Sequence, residues 1–304
     1  MPEQQDLPQQ KDKTGNINKI YSGGFHVKTI DDRVLAGYNA GIERNRLRTG
    51  LGLIEFERTK ELLMDNLPLP PAVIYDIGGG YGEYSWWLAS LGYEVHLFDI
   101  SETNIAMSEE LSSCYPGVSL AAREISDARE IARADESADA ILFMGPLYHI
   151  VEKSERLLAI KECYRLLKKS GVLFSAAITP YATLLWATTV FGAQNRLLEE
   201  DAFMHMITRE LVDGEHIWPV NSSYKGMGRS HFHSANELKD ELFEGGFHSI
   251  IVHGVVGGAW LAPDIDELWK NPDSREALMK TVRMLDMRDD IVGLSTHILA
   301  VSHK

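Results

Sequence analysis

Short apolar runs alternate with amphipathic stretches through the middle of the chain. The apolar runs predict strands at VIYDI (73–77), EVHLFDI (94–100), VSLAAREI (118–125), ADAILFMG (138–145) and VLFSAAI (172–178). The amphipathic stretches predict helices at YGEYSWWLASLG (81–92), ETNIAMSEELSSC (102–114) and SERLLAIKECYRLLKKSG (154–171). Because helical crossovers join parallel strands, this order predicts an α/β fold with a doubly wound sheet.

The sequence before the first predicted strand indicates a flexible arm followed by a helical cap. Residues 1–17 are polar and rich in glutamine and lysine, which is typical of a flexible arm. Residues 18–70 are predicted to form a helical cap, with helices over 34–48 and 53–67 and a break at Gly50.

The main domain is predicted over residues 71–304. Its rhythm changes after residue 179, where an aromatic-rich and mainly helical insertion, at about 180–230, is expected to form a lid over the ligand end of the sheet. Beyond it, three further elements are predicted: a helix at ANELKDELFEGG (235–246), a strand at FHSIIVHGVV (247–256) and a last strand at GLSTHILAVSHK (293–304).

Composition and charge restrict the class of function. The formal net charge of −14 argues against a nucleic-acid partner, because that affinity depends on many lysines and arginines. Two cysteines without CxxC spacing argue against a disulfide framework or a structural zinc site. No apolar run is long enough to span a bilayer, and the first residues lack the apolar centre of a signal peptide. We therefore expect a cytoplasmic protein with a small-molecule partner and no membrane partner, and leave a homo-oligomer open.

A glycine-rich stretch, DIGGGYGE, follows the first predicted strand and precedes the first predicted helix of the main domain. A P-loop needs a lysine after its last glycine, but Glu83 follows Gly82 here. A dinucleotide fingerprint needs its third glycine at the position of Glu83, which weakens that interpretation too. The remaining pattern, D-x-G-x-G-x-G, predicts a turn against which a ligand lies closely.

Acidic residues after the predicted strands indicate the kind of ligand. Asp76 precedes the glycines and could face a cationic ammonium, while free N–H groups of the next helix could receive a carboxylate. Asp99 ends the second strand, where a carboxylate accepts hydrogen bonds from ribose hydroxyls. Asp127, after the third strand, could accept from an adenine amine. A ligand with an amino-acid head and an adenosine tail fits these positions, and S-adenosylmethionine is such a ligand.

The ordered motifs LIEFERTKELL, VIYDIGGGYGEYSWWLASLGYEVHLFDIS, ISDAREI, ILFMGPLYHI and ECYRLLKKSGVLFSAAIT resemble the class I S-adenosylmethionine-dependent methyltransferases. The resemblance covers about residues 35–180 and is greatest to a branch with a GPLYHL-like fourth motif. It implies a mostly parallel, seven-stranded, Rossmann-like sheet with an antiparallel last strand, and it implies S-adenosylhomocysteine as the product formed from the cofactor.

The resemblance also implies cofactor-binding residues. The methionine portion would lie against the glycine turn, the ribose and adenine against the ends of the second and third strands, and the sulfonium near the fourth motif. These positions are Asp76, Gly78, Gly79, Gly80 and Gly82 for the turn, Asp99, Ile100, Asp127 and Ala128 for the nucleoside, and Met144, Gly145 and Tyr148 for the sulfonium. Arg46, in the cap, is a candidate partner for the cofactor carboxylate.

Methyl transfer needs chiefly alignment and exclusion of water, and a base is needed only for some acceptors. Candidate catalytic residues are His149 and Tyr148 in the fourth motif, and His231 and His233, which alternate on an extended segment. We expect no nearby carboxylate or cysteine to complete a ligand set around the last two, so no metal is predicted. Aromatic residues of the cap and the insertion are candidate substrate contacts: Tyr38, Tyr181, Trp186 and Trp218.

The sequence thus predicts methyl transfer to an oxygen, nitrogen or other nucleophile of a small molecule by in-line displacement. A methyltransferase for nucleic acid or protein remains an alternative, although Gly145 to Tyr148 stand where a nucleic-acid enzyme of this kind would carry N/D-P-P-Y. A protein that binds the cofactor without turnover is a second alternative.

Overall fold

The computed structural model describes residues 32–41, 44–193, 195–223 and 228–304. The predicted flexible arm at residues 1–17 and the start of the predicted cap lie outside these ranges.

The chain forms a seven-stranded sheet and a separate two-stranded sheet. Its strands in chain order are β1 (Val73–Ile77), β2 (Glu94–Asp99), β3 (Ala122–Ile125), β4 (Ala138–Phe143), β5 (Leu167–Ile178), β6 (Glu215–Ile217), β7 (Arg229–His231), β8 (His248–Gly254) and β9 (His297–His303). The large sheet has the order β3-β2-β1-β4-β5-β9-β8, and β6 pairs with β7. Strand β9 is antiparallel to both of its neighbours, while the others run parallel, which confirms the predicted fold class.

Helices cover both faces of the large sheet. They are α1 (Asp32–Asn39), α2 (Leu51–Asn66), α3 (Glu83–Ser90), α4 (Glu102–Leu111), α5 (Pro146–His149), α6 (Lys153–Leu166), α7 (Ala182–Val190), α8 (Asp201–Asp213), α9 (Ala235–Glu244), α10 (Ile265–Lys270) and α11 (Pro272–Leu285). On one face, α6 and α9 pack their apolar side chains on Ile141 and Ile298 of the sheet. On the other face, α2 and α3 pack on Ile74 and Leu142.

Several element boundaries differ from the predicted ones. Strand β3 is half as long as VSLAAREI, because only its last residues pair with β2. Helix α6 ends at Leu166 rather than at Gly171, because Leu167 already pairs with Ala138 in β4. The last strand begins at His297, after a short 3-10 turn at Val292–Leu294.

The cap and the insertion also differ from a purely helical pattern. The predicted helix over 34–48 is interrupted: α1 ends at Asn39, and Arg46–Arg48 form a separate 3-10 turn. Gly50 lies at the predicted break, with φ of 53°. The insertion contains α7 and α8 as expected, but also the β6–β7 hairpin, whose strands are too short for a periodicity signal.

Helices α10 and α11, between β8 and β9, were not predicted. Met279 and Val282 of α11 pack against Ile54 of α2. This contact between α11 and α2 attaches the cap to the main domain. Within the described residues, none of the helices combines the length and the apolar composition needed to cross a membrane.

Candidate functional site

The glycine turn after β1 has a backbone that side chains would disrupt. Gly78, Gly80 and Gly82 have positive φ angles of 72°, 61° and 86°, a region that non-glycine residues rarely adopt. A Cβ on Gly78 would lie 2.5 Å from the ring of Pro146, and one on Gly79 would lie 2.4 Å from the carboxyl carbon of Asp76. A Cβ on Gly80 would meet no atom within 4 Å, so this glycine faces open space.

Asp99 links the end of β2 to this turn. Its Oδ2 accepts the backbone N–H of Gly80 at 2.8 Å. Its Oδ1 accepts the backbone N–H of Ser101 at 2.8 Å and the side-chain amide of Asn104 at 3.1 Å. These donors hold the carboxylate at the sheet edge, beside the backbone of Gly80.

Asp76 is the buried carboxyl group beneath the turn. It is 1% exposed, and its Oδ2 accepts the Ser85 hydroxyl at 2.6 Å. Burial, together with the nearby negative charge of Asp99, raises the pKa of Asp76 to about 7, although the Ser85 hydrogen bond opposes the rise. A cation bound beside Asp76 would therefore lower this pKa and favour the ionised carboxyl group.

A cavity that opens to solvent lies along this edge of the sheet. The predicted site residues that line it are Tyr38, Arg46, Asp76, Gly78, Gly79, Gly80, Asp99, Ile100, Asp127, Ala128, Met144, Gly145, Tyr148 and His149. Four successive strand ends of the sheet, those of β3, β2, β1 and β4, therefore meet at one cavity, as expected for the carboxyl edge of an open α/β sheet.

His149 closes the cavity on the side of α5. Its ring is buried, its Nε2 shares a hydrogen bond with the Tyr38 hydroxyl, and its Nδ1 has no partner among the described residues. Burial, with a smaller contribution from nearby His216, lowers the pKa of His149 to about 3. The imidazole is therefore neutral at physiological pH. The Tyr148 ring stands edge-on to it, with 4.5 Å between ring centroids.

Arg46 and Asp127 line the cavity with partners of their own. The Arg46 guanidinium forms a bidentate pair with Glu55, at 2.8 and 3.2 Å. The Asp127 carboxylate accepts Arg129 Nε at 2.9 Å and Nη2 at 2.5 Å, and Arg129 also binds Glu155. Asp127 Oδ1 also accepts the Arg129 backbone N–H at 2.9 Å, so a further hydrogen bond from a ligand would go to Oδ2.

Some predicted site residues do not line this cavity: Gly82, Tyr181, Trp186, Trp218, His231 and His233. Gly82 precedes α3 and packs against Leu97. Trp186 and Trp218 belong to the apolar core of the insertion, around Phe203. Tyr181 is half exposed on the surface, beside Gly293.

His231 and His233 lie in a separate buried cluster. His231 Nε2 is 2.8 Å from Glu237, and His233 Nε2 is 3.4 Å from Glu241. The ligand atoms of His231, His233 and Glu237 lie within 4.8 Å of one another, a spacing compatible with a metal ion. The expectation that no nearby carboxylate completes a ligand set around these histidines was therefore wrong, because the first turn of α9 brings Glu237 beside them. However, Arg156 already binds Glu241 at 2.6 Å and lies 3.9 Å from Glu237. Its guanidinium supplies the positive charge that these carboxylates need.

The cavity also includes residues that the sequence reasoning missed. Glu83, which occupies the position of a third fingerprint glycine, binds Arg48 at 2.6 and 2.9 Å and accepts the Tyr81 hydroxyl at 2.8 Å. Arg129 orients Asp127 from two residues downstream. The signal for Glu83 was its acidic charge at the start of a helix, but its distant partner could not be read from spacing.

Comparison with known proteins agrees with this arrangement. Residues 75–175 match the family model described as a methyltransferase domain. A ubiquinone biosynthesis O-methyltransferase of Caulobacter vibrioides is 29% identical over 111 residues, which are 36% of this chain and 42% of that protein. The matched region thus spans less than half the length of this relative.

Two solved structures share the fold over most of the chain. A methyltransferase of Methanosarcina mazei has a TM-score of 0.53 at 18% identity and covers 80% of this chain and 96% of its own. A methyltransferase in complex with the Trm112 activator of Haloferax volcanii has a TM-score of 0.52 at 15% identity, covering 90% of this chain and 99% of its own. Residues 75–175 thus match a methyltransferase domain, and most of the chain shares the fold of methyltransferases that depend on S-adenosylmethionine.

Proposed function

We propose that this protein transfers the methyl group of S-adenosylmethionine to an oxygen or nitrogen atom of a small molecule. The observation that carries the proposal is the convergence of the bare glycine turn, the anchored Asp99 carboxylate and the neutral His149 on one cavity. The relative named as an O-methyltransferase supports oxygen as one acceptor atom, over the part of the chain that it matches.

The residues present fit this cofactor. Because Gly80 has no side chain, the space beside its backbone is open, and a ligand can lie against the turn there. Asp99, at the end of β2, would hold the ribose, and Asp127 with Ala128 would hold the adenine. Asp76 would face the ammonium group, whose charge favours the ionised carboxyl.

The bound cofactor supplies a methyl group on a sulfonium, which is a good leaving group. The chain's own task is then to align the acceptor and exclude water, which can lower the barrier by several kcal/mol. Tyr148 and His149 border the cavity at the end of β4, and Tyr38 covers His149 from the cap. A neutral imidazole beside the acceptor can orient a hydroxyl or an amine by hydrogen bonding.

A small acceptor suits the rest of the molecule better than a polymer. The net charge of −14 opposes phosphate backbones, and the cap residues Tyr38 and Leu47 line the cavity beside the sheet edge. The cytoplasmic location and the substrate contacts of Tyr181, Trp186 and Trp218 stay predictions from the sequence.

Calorimetric titration of the full chain with S-adenosylmethionine tests the cofactor. We expect saturable binding, and NADH serves as the competing nucleotide. Incubation with methyl-labelled cofactor and a panel of small phenols, alcohols and amines then tests transfer. Saturation by NADH together with no uptake of S-adenosylmethionine would refute the proposal, and so would binding without transfer to any member of a broad panel.

A further inference from the structure

A carboxylate–imidazole pair is buried in the insertion, outside the cavity lining. Glu210 on α8 is 0% exposed and His216 on β6 is 2% exposed. His216 Nδ1 lies 2.6 Å from Glu210 Oε1, and the Thr183 hydroxyl donates to the same oxygen at 3.0 Å. The carboxylate oxygen accepts, so the Nδ1 nitrogen of His216 carries the proton and its Nε2 is left as an acceptor.

Several polar atoms around this pair have no hydrogen-bond partner among the described residues. They are Glu210 Oε2, His216 Nε2 and Ser230 Oγ. His216 and Ser230 are directly opposite in the β6–β7 pairing, so their side chains project from the same face. An unsatisfied buried polar atom costs on the order of 1–3 kcal/mol, and so many in one place call for a functional explanation.

The polar atoms of Glu210, His216 and Ser230 are connected to His149 through the packing of β7 against α5. The His216 ring stacks on Phe232, with 4.7 Å between centroids. Phe232 packs with Tyr148, the neighbour of His149, and β7 packs against α5. Repulsion between the two imidazoles, were both to carry a charge, contributes to the low pKa of His149, as expected for two rings that are close in a buried region. His149 Nδ1 is itself buried without a partner.

The remaining ionisable groups nearby are already engaged elsewhere. His231 pairs with Glu237, and His233 pairs with Glu241. On the cavity side, the Tyr38 hydroxyl bonds to His149 Nε2. If that hydroxyl donates, the single proton of the neutral His149 ring is on Nδ1, the atom without a partner. The two hydrogen-bonded pairs, Tyr38 with His149 and His216 with Glu210, are then separated by two unpartnered nitrogens, a donor on His149 and an acceptor on His216.

We propose that His149, His216 and Glu210 form a proton relay that takes the proton released by the methyl acceptor. This inference rests on the proposed function. The acceptor's O–H or N–H bond breaks as its bond to the methyl group forms, and the electron pair of the breaking S–CH3 bond stays on sulfur. The proton enters at Tyr38 or His149 Nε2, and the Nδ1 proton of His149 passes through a bridging water to His216 Nε2, because no direct hydrogen bond joins the two nitrogens. Glu210 then stabilises the imidazolium of His216.

The acceptor class follows from this chemistry. A relay that ends on a buried carboxylate serves a nucleophile that must lose a proton, such as a phenol, an alcohol or a protonated amine. A thiolate or a tertiary amine would have no use for it. His216 and Glu210 are positioning residues, because they act through His149 rather than on the substrate.

The test compares Glu210→Gln and His216→Gln with the wild-type chain, with a phenol or amine that the wild-type protein methylates as the acceptor. We expect kcat to fall about 100-fold at neutral pH, with unchanged S-adenosylmethionine binding by calorimetry. The loss should shrink as pH rises and with more acidic phenols, because such acceptors are already ionised. Asp286→Asn is the matched control, since it alters another buried carboxylate–histidine pair, with His253, on a different part of the molecule.

A purely structural role would lower kcat by the same factor at every pH and for every phenol, which would overturn the relay. Histidine ¹⁵N spectra of the full chain at neutral pH provide a reading that needs no acceptor. The relay requires His216 to be unprotonated at Nε2 and His149 to be protonated at Nδ1, and the opposite pair of tautomers would overturn it. If the wild-type protein does not bind S-adenosylmethionine, the proposed function is refuted. The relay fails separately, because its variants are expected to bind the cofactor normally.

Discussion

The backbone N–H of Gly80 donates to the Asp99 carboxylate at 2.8 Å, so the turn after β1 and the end of β2 form one unit. The bond joins the two features of the sequence that pointed most directly to a nucleoside ligand. It also means that Asp99 has two structural roles, since it holds the turn and lines the cavity. A substitution there changes both.

Asp99→Ala should weaken S-adenosylmethionine binding by about 10-fold to 100-fold, because hydrogen bonds to a charged group are worth about 1.5–3 kcal/mol. Isothermal titration calorimetry measures the effect. Asp99→Asn is the matched control, because it keeps one acceptor for the Gly80 N–H and removes the charge, and its loss should be smaller. Equal affinity in the wild-type and alanine proteins would exclude Asp99 from the ribose site.

Gly80→Val should abolish cofactor binding while the chain stays folded. An added Cβ meets no protein atom within 4 Å and Gly80 lines the cavity, so we expect the side chain to project into it, and the positive φ costs about 1–2 kcal/mol. Gly79→Ala is the contrasting variant, because its Cβ would collide with the Asp76 carboxyl group and should destabilise the fold. Circular dichroism and calorimetric titration separate the two outcomes. A Gly80→Val protein with normal affinity would mean that the ligand does not approach this backbone.

The sequence predicted the parts of this site that depend on local pattern. The strand VIYDI has the same bounds in the structure, because a short buried run followed by glycines is a local signal. The residues at the strand ends reached one cavity because parallel strands share an edge. The parallel topology therefore made it possible to predict from the motifs which residues line the cavity.

The parts that the sequence did not predict depend on distant contacts. The pairing of Arg46 with Glu55, and of Arg48 with Glu83, follows from how the cap folds back on the turn. The short strands of the β6–β7 hairpin carry no periodicity, and their place beside α5 is tertiary. For the same reason, neither His216 nor Glu210 was a candidate, although each is fully buried in a polar cluster.

The stability of the cofactor-free protein should fall as pH rises from about 4 to about 7, through Asp76. The folded pKa, about 7, is above the ordinary value of 3.8, so folding favours the protonated form. The stabilising contribution is complete at low pH and is lost as the carboxyl ionises, to an upper limit of about 4 kcal/mol. Urea unfolding of the wild-type and Asp76→Asn proteins at several pH values measures it. Parallel pH profiles for the two proteins would contradict the raised pKa.

Cofactor binding should release protons from Asp76 at pH 6.5. In the free protein this carboxyl is largely protonated, and an ammonium group beside it favours the ionised form. Calorimetry in two buffers of different ionisation enthalpy detects the release as a difference in apparent binding enthalpy. The release should disappear in Asp76→Asn, and it should disappear for wild-type protein above pH 9. A buffer-independent enthalpy at pH 6.5 would place the ammonium group away from Asp76.

His149→Phe should reduce methyl transfer about 100-fold while cofactor affinity changes little, because phenylalanine keeps the ring volume and removes both nitrogens. The buried imidazole has a pKa of about 3, so wild-type His149 stays neutral above pH 5; it can orient the acceptor by hydrogen bonding, but it is too weak a base to keep a proton unless it passes one on. His248→Phe is the control, because His248 is an exposed residue of β8 that does not line the cavity. Initial rates with methyl-labelled S-adenosylmethionine, taken from pH 6 to pH 9, test the role. If the His149→Phe protein keeps the wild-type rate throughout that range, neither nitrogen takes part in proton transfer or in orienting the acceptor.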